Sequence, residues 1–172
     1  MKRGPTEEPP TPASPAAAAI DERLEENTAR ALKLWVVLAR SYAAVARAVE
    51  KDIARHGLTT TEFGILEALH HKGPLLLGEI QRKVLVTSGG ITYLVDRLVA
   101  KGLVTREPSP DDRRARYAVL TPDGARLIGS IFPPHAELLT QAMHALTSEE
   151  QAAATALLRR LGHAVAEEHD DE

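Results

Sequence analysis

The sequence predicts a mainly α chain with one small β-hairpin, and three observations carry that prediction. Helical periodicity without glycine or proline runs from about Asp21 to His56. Two short apolar stripes then follow one another between Gly78 and Lys101, and two β-branched segments, LVTRE and ARYAVLT, flank a turn rich in proline and aspartate. Helix, helix, hairpin in that order is the pattern of a winged helix-turn-helix with a small β-wing, and the helices on either side of it form a separate helical dimerisation region. The chain then divides into a disordered Pro/Ala-rich tail (1–19), an N-terminal dimerisation helix (20–57), a winged helix-turn-helix domain (58–121), C-terminal dimerisation helices (122–168) and an acidic tail (169–172).

The tail, MKRGPTEEPPTPASPAAAA, holds few large apolar groups, so nothing in it offsets the entropy of ordering. In the first helix Ala31, Trp35, Leu38, Tyr42, Val45 and Val49 recur at alternating intervals of four and three, the signature of a helix seam. Around Leu32 to Ala39 apolar residues spread over most of the circumference, which calls for burial on more than one side. The simplest cover is a second copy of the chain together with the chain's own last helix; burial by intrachain helices alone is the alternative. Gly57 closes this helix. Thr59 with Glu62 makes a capping box for the next, whose inner face is Phe63, Leu66 and Leu69. KGPLLL then supplies a turn and a short strand able to pair with the wing.

Ile80 and Val84 give the first helix of the motif its stripe, and Ile91, Leu94, Val95 and Leu98 give the second its own. The second helix leaves Ser88, Gly89, Gly90, Thr92, Tyr93, Asp96 and Arg97 outward, a polar face suited to a DNA groove, so it is read as the recognition helix. Thr87 or Ser88 caps its start, Lys101 complements the dipole at its end, and Gly102 stops it. Gly89 and Gly90 each cost about 1 kcal/mol of helix propensity relative to alanine. Either they let backbone approach a phosphate, or they allow tight packing in the helix-turn-helix corner. On the wing, Arg106, Arg113, Arg114 and Arg116 cluster; their guanidinium groups suit phosphates or a narrow minor groove, unless Asp111 and Asp112 merely neutralise them on a solvated loop.

Thr121 and Pro122 suit the cap and first turn of a helix through Leu127, Ile128 and Ile131. Pro133 and Pro134 are expected to kink or interrupt it, with helix resuming over Leu138 to Leu146. A second capping box, Thr147 and Glu150, starts the last helix, with Leu157, Leu158, Leu161 and Val165 inward, before EEHDDE frays.

Composition narrows the function. The formal charge is −3, yet residues 82–126 hold nine Arg/Lys against five Asp/Glu, whereas residues 149–172 hold two against seven. Basic charge is thus confined to the DNA-facing module. No apolar run approaches the roughly 18 residues that span a bilayer, and AAAAI is too short for a signal peptide, so a cytoplasmic protein without membrane contact is expected. The absence of cysteine rules out disulfides, thiolate metal sites and thiol-based redox sensing. Phosphate-binding loops, nucleophile elbows and HExxH are all missing, so no enzyme is expected. His70, His71 and His135 are the best metal-binding group, but adjacent histidines point different ways on a helix and none shows ligand spacing; no metal and no cofactor are expected, and a metal-sensing regulator is the lesser alternative.

From Leu58 to Thr121 the chain resembles the MarR family of bacterial transcriptional regulators. The resemblance lies in LTTTEFGILEALH, in TSGGITYLVDRLVAKGLVTRE and, most specifically, in DDRRARYAVLTPDG, where the family's Asp-x-Arg, Leu-Thr and Gly are matched by Asp112, Arg114, Leu120, Thr121 and Gly124. It implies a dimeric DNA-binding regulator, with Arg114 near the minor groove and Asp112 holding the wing through a neighbouring arginine. It also implies an effector space between the dimerisation helices and the winged module, which Trp35, Tyr42, Phe63, Phe132 and His135 would line here, although core packing accounts for the same residues. LKLWVVLARSYAAV, VTSGGITYLVDRLVAKGLV and IFPPHAELL resemble the subgroup that responds to quinones and phenolic compounds; without a thiol only reversible binding of such an effector is open to this chain.

The expected function is therefore a homodimeric, ligand-responsive repressor on a near-palindromic operator in double-stranded DNA, with half-sites about 10 base pairs apart. Ser88, Gly89, Gly90, Thr92, Tyr93 and Arg97 would face the major groove, and Arg113, Arg114 and Arg116 would serve the wing. The alternative from another class is a winged-helix protein-interaction module without specific DNA binding.

Overall fold

A computed structural model describes residues 15–84, 88–109 and 115–170. The chain divides into two units, one up to Ala44 and one from Val45 onward, with the boundary inside the first helix. That helix, α1, runs from Pro15 to Ala54. It starts inside the segment expected to be tail. Proline is well suited to a first helical position, and the four alanines after it have the best helix propensity of any residue, so Pro15 to Ala19 extend the helix.

The second unit holds the winged module. Helix α2 (Thr60–Lys72) begins with a complete capping box: the Thr59 hydroxyl accepts from the Glu62 N–H at 3.2 Å and the Glu62 carboxylate accepts from the Thr59 N–H at 2.8 Å. It stops at Gly73, whose φ of 76° is open to glycine but strained for other residues. Strand β1 (Leu75–Leu76) leads into α3 (Leu77–Val84), where the Glu79 carboxylate accepts from the Leu76 N–H and so satisfies a donor at the helix start. Helix α4 (Ser88–Ala100) ends in a full Schellman motif. The Leu103 N–H donates to the Leu98 carbonyl and the Gly102 N–H to the Val99 carbonyl, with Gly102 at φ 71°.

The wing is β2 (Val104–Pro108) and β3 (Arg116–Leu120), antiparallel with Arg106 opposite Ala118; β1 adds to the other edge of β3, Leu75 opposite Ala118, giving the order β1-β3-β2. Its tip, residues 110–114, lies outside the described residues and takes with it Asp112, Arg113 and Arg114. Thr87 does too, and Ser88 and Gly89 are placed only as backbone in the first turn of α4.

Helix α5 (Pro122–Met143) departs from expectation. It is one helix of 22 residues that continues past Pro133 and Pro134, so the pair does not interrupt it. The prolines leave the carbonyls of Gly129 and Ser130 without their usual donors, but both residues are exposed, so solvent can satisfy them. Helix α6 (Ser148–Asp170) opens with the second capping box, Thr147 with Glu150, and holds its helical backbone through Asp170 where fraying was expected.

The core of this unit joins Ile53 at the end of α1, Phe63, Ile65, Leu66 and Leu69 of α2, Ile80 of α3, Ile91, Val95 and Leu98 of α4, Val104 and Ala118 of the wing, and Ile128 and Ile131 of α5. The apolar stripe of α4 faces inward as its spacing requires. That burial fixes which side of α4 is left to the outside.

Candidate nucleic-acid interface

With Ile91, Val95 and Leu98 buried, the opposite face of α4 presents Thr92, Tyr93 and Asp96, all exposed, Tyr93 by 62%. Gly90 is half-buried. Arg97 is also on this side, its Cζ 5.9 Å from the centre of the Tyr93 ring, as an i, i+4 pair allows.

Two ionic struts hold the face in place. Arg106, expected on the outer wing, turns back from β2 onto α4: it pairs with Asp96 at 2.9 Å and donates to the Thr92 carbonyl at 3.2 Å. This ties the wing to the recognition helix. The second strut is centred on Glu62, whose side chain is fully buried. Lys101 Nζ lies 2.9 Å from both carboxylate oxygens and also donates to the Gly57 carbonyl at 2.8 Å, while Arg97 Nε lies 3.2 Å from Oε1. One carboxylate therefore caps α2 and anchors two cations of α4.

Burial alone would push the Glu62 carboxyl up, but the Thr59 N–H, the Lys101 ammonium and the Arg97 guanidinium together outweigh it and hold its pKa below the usual 4.5. Because the folded pKa is the lower one, the folded state binds fewer protons than the unfolded state over the interval between them. The resulting stability is fully present above the unfolded value and is lost as pH falls through the folded one. Urea midpoints followed from about pH 7 to about pH 3 should show wild type and Glu62→Gln converging on acidification. A gap that stays constant over that range would place the effect of Glu62 elsewhere.

Between the start of α3, the recognition helix and the wing lies an open groove of about 480 Å³, into which Arg82, Arg106 and Arg116 converge beside Thr92 and Glu79. Arg116 Nη1 donates to the Ala115 carbonyl at 3.1 Å. Arg82 was not singled out from sequence.

Of the residues expected to line an effector space, Phe63, Phe132 and His135 are on neighbouring helices. Phe63 and His135 pack with their rings tilted by 55° and centres 4.6 Å apart and are both buried, His135 Nδ1 lies 3.3 Å from the Asp52 carboxylate, and Phe132 meets His71 edge-on at 4.7 Å. This is a packed cluster that joins α2, α5 and the end of α1. Trp35 and Tyr42 belong to the other unit and are 65% and 74% exposed. Among the described residues no three His, Asp or Glu side chains form a metal-binding group, and no helix is long and apolar enough to cross a membrane.

Comparison with known proteins gives concordant results. A family model described as "MarR family" matches residues 56–115. The HTH-type transcriptional regulator MhqR of Bacillus subtilis (strain 168) is 43% identical over 135 residues, which are 78% of this chain and 93% of that one. Among solved structures, Bordetella bronchiseptica BpsR, described by its regulation of DNA binding by 6-hydroxynicotinic acid, superposes with a TM-score of 0.68 at 25% identity over 76% of this chain and 98% of its own. Sco3205 of Streptomyces coelicolor, a MarR family transcriptional regulator solved in complex with DNA, gives a TM-score of 0.74 at 24% identity over 79% and 88% of the two chains. At that identity the second structure speaks for the fold.

Proposed function

This chain belongs to the MarR family of transcriptional regulators, and from that premise we propose that it works as a cytoplasmic homodimeric repressor whose hold on operator DNA is loosened by a small aromatic effector. One observation carries the DNA reading. The burial of Ile91, Val95 and Leu98 turns Thr92, Tyr93 and Arg97 outward beside a groove where arginines from α3 and both wing strands converge. Base edges in a major groove would meet the row on α4, and phosphates on either side would meet Arg82 and Arg116.

Two copies are needed to read two half-sites, and the chain has the surface for it. Leu157, Leu158 and Leu161 of α6 stand 56%, 50% and 41% exposed, and Leu32, Leu34, Trp35 and Val37 of α1 are each more than half exposed. Apolar stripes of that kind on long helices are what a partner copy covers. The effector part of the reading is supported by kinship with MhqR and by the aromatic and imidazole side chains gathered around Phe63 and His135. A phenolic or quinone ligand that loosens DNA must itself be bound more weakly, by the same factor, once DNA is present. Competition titrations with phenols and quinones test this independently of DNA binding itself.

For DNA binding the deciding measurement is salt dependence. A protein that neutralises about six phosphates should lose on the order of a thousandfold in affinity between about 50 and 200 mM salt. A winged-helix module that binds only protein has no such affinity to lose.

A further inference from the structure

The Glu62–Arg97 pair crosses from a buried helix to the DNA-facing one. We propose that Glu62 is a positioning residue for sequence discrimination: by holding Arg97 at Nε, it presents the two Nη groups of that arginine as a fixed fork. The proposal rests on the DNA-binding reading above.

Three observations support it. First, Glu62 has no freedom of its own. Its carboxylate is fully buried and held by the Thr59 N–H and by Lys101 at 2.9 Å, so whatever it holds is held rigidly. Second, Arg97 has a neighbour on two sides, its ion pair with Glu62 at Nε and the Tyr93 ring 5.9 Å from Cζ, and the two together narrow the range of positions open to its planar head. Third, neither Nη atom has a hydrogen-bond partner among the described residues, and the side chain is 40% exposed.

The chemistry then separates Arg97 from an ordinary phosphate-binding arginine. Its charge is already partly balanced by a carboxylate at 3.2 Å, which weakens its pull on a diffuse phosphate potential. Two fixed N–H donors on an otherwise outward face instead suit two acceptors at a set spacing, as on the edge of guanine. A lysine in the same place would keep the charge and lose the fork. The acceptor class is therefore a base edge, and the contribution of Arg97 depends on Glu62.

The experiment uses the full-length protein and two duplexes of equal length: one enriched by the wild-type protein from a random-sequence pool, and a scramble of it. The affinity ratio between them is measured for wild type, Glu62→Gln, Arg97→Lys and the double variant, with a urea midpoint recorded for each. The ratio is expected to fall roughly tenfold to a hundredfold in each single variant, with the loss on the selected duplex. The double variant should lose no more than either single one, because both remove the same fork. Should Glu62→Gln prove unable to fold, Glu62→Asp takes its place in both the single and the double variant, since it keeps the buried charge and draws it back from Arg97 Nε.

A ratio unchanged in Arg97→Lys, a ratio unchanged in a folded Glu62→Gln, or losses that multiply in the double variant would each overturn the proposal. If the wild-type protein enriches no sequence from the pool, the DNA reading itself falls and takes this inference with it; if it enriches one and the variants discriminate as well as wild type, only the inference falls.

Discussion

Gly124→Ala is expected to destabilise the fold by about 3 kcal/mol or more, at or beyond the upper end for an inserted methyl group. A Cβ at position 124 would lie 2.0 Å from the Leu103 carbonyl oxygen and 2.9 Å from its carbon. Both are backbone atoms, so no side chain can rotate away. The carbonyl is not free to move either: it accepts from the Thr121 N–H at 3.1 Å, while the Thr121 hydroxyl donates to the Gly102 carbonyl at 2.7 Å and accepts from the Gly124 N–H at 3.0 Å. Gly124 is needed for space, because it lies where the end of the recognition helix, the base of the wing and the start of α5 are bound together. Gly162→Ala in α6 is the matched control, also helical but with nothing within 4 Å of the added carbon. There the gain in helix propensity should stabilise by about 0.5–1 kcal/mol. Urea denaturation of the two variants should move the midpoint in opposite directions with little change of slope. A Gly124→Ala midpoint at the wild-type value would show that the joint can spread.

The same joint shows which features were legible in the sequence. The Thr121–Pro122 start, both capping boxes and the Gly102 stop rest on hydrogen bonds between residues three to five apart, so the residue types alone announced them. The stripe of α4 was equally local, and it determined the outward face. The role of Glu62 was only half visible. Its capping bond to Thr59 spans three residues, but its ion pair with Lys101 spans 39, and no periodicity links positions that far apart. For the same reason Arg106 read as one more wing arginine, when its partners Asp96 and Thr92 lie back on α4. The proline pair was legible only in part: it does not interrupt α5, because the carbonyls it frees lie on the exposed side of that helix. Thus short-range chemistry located the candidate interface, whereas the contacts that orient it are tertiary.

Leu157→Glu combined with Leu161→Glu is expected to turn the dimer into a monomer and to lower operator affinity by about a hundredfold to ten-thousandfold. Each copy would bring one recognition helix, and joining two makes the second half-site contact intramolecular, which is worth a factor of that size. The two leucines are a helical turn apart on α6, 56% and 41% exposed, and α6 is bonded at its start to the end of α5 through Gln151, whose side-chain amide donates to the Met143 and Leu146 carbonyls. New carboxylates four residues apart cost an exposed helix only about 0.2–0.5 kcal/mol, so α6 itself should persist. Buried against a second copy they would be like charges in an apolar seam without partners, which costs far more. Sedimentation should therefore show half the wild-type mass, with melting temperature no longer dependent on protein concentration. Affinity for a single half-site should be retained, because no residue of α4 or the wing is touched. If the double variant stays dimeric and keeps its operator affinity, α6 is not the seam, and the exposed stripe of α1 around Trp35 becomes the surface on which two copies meet.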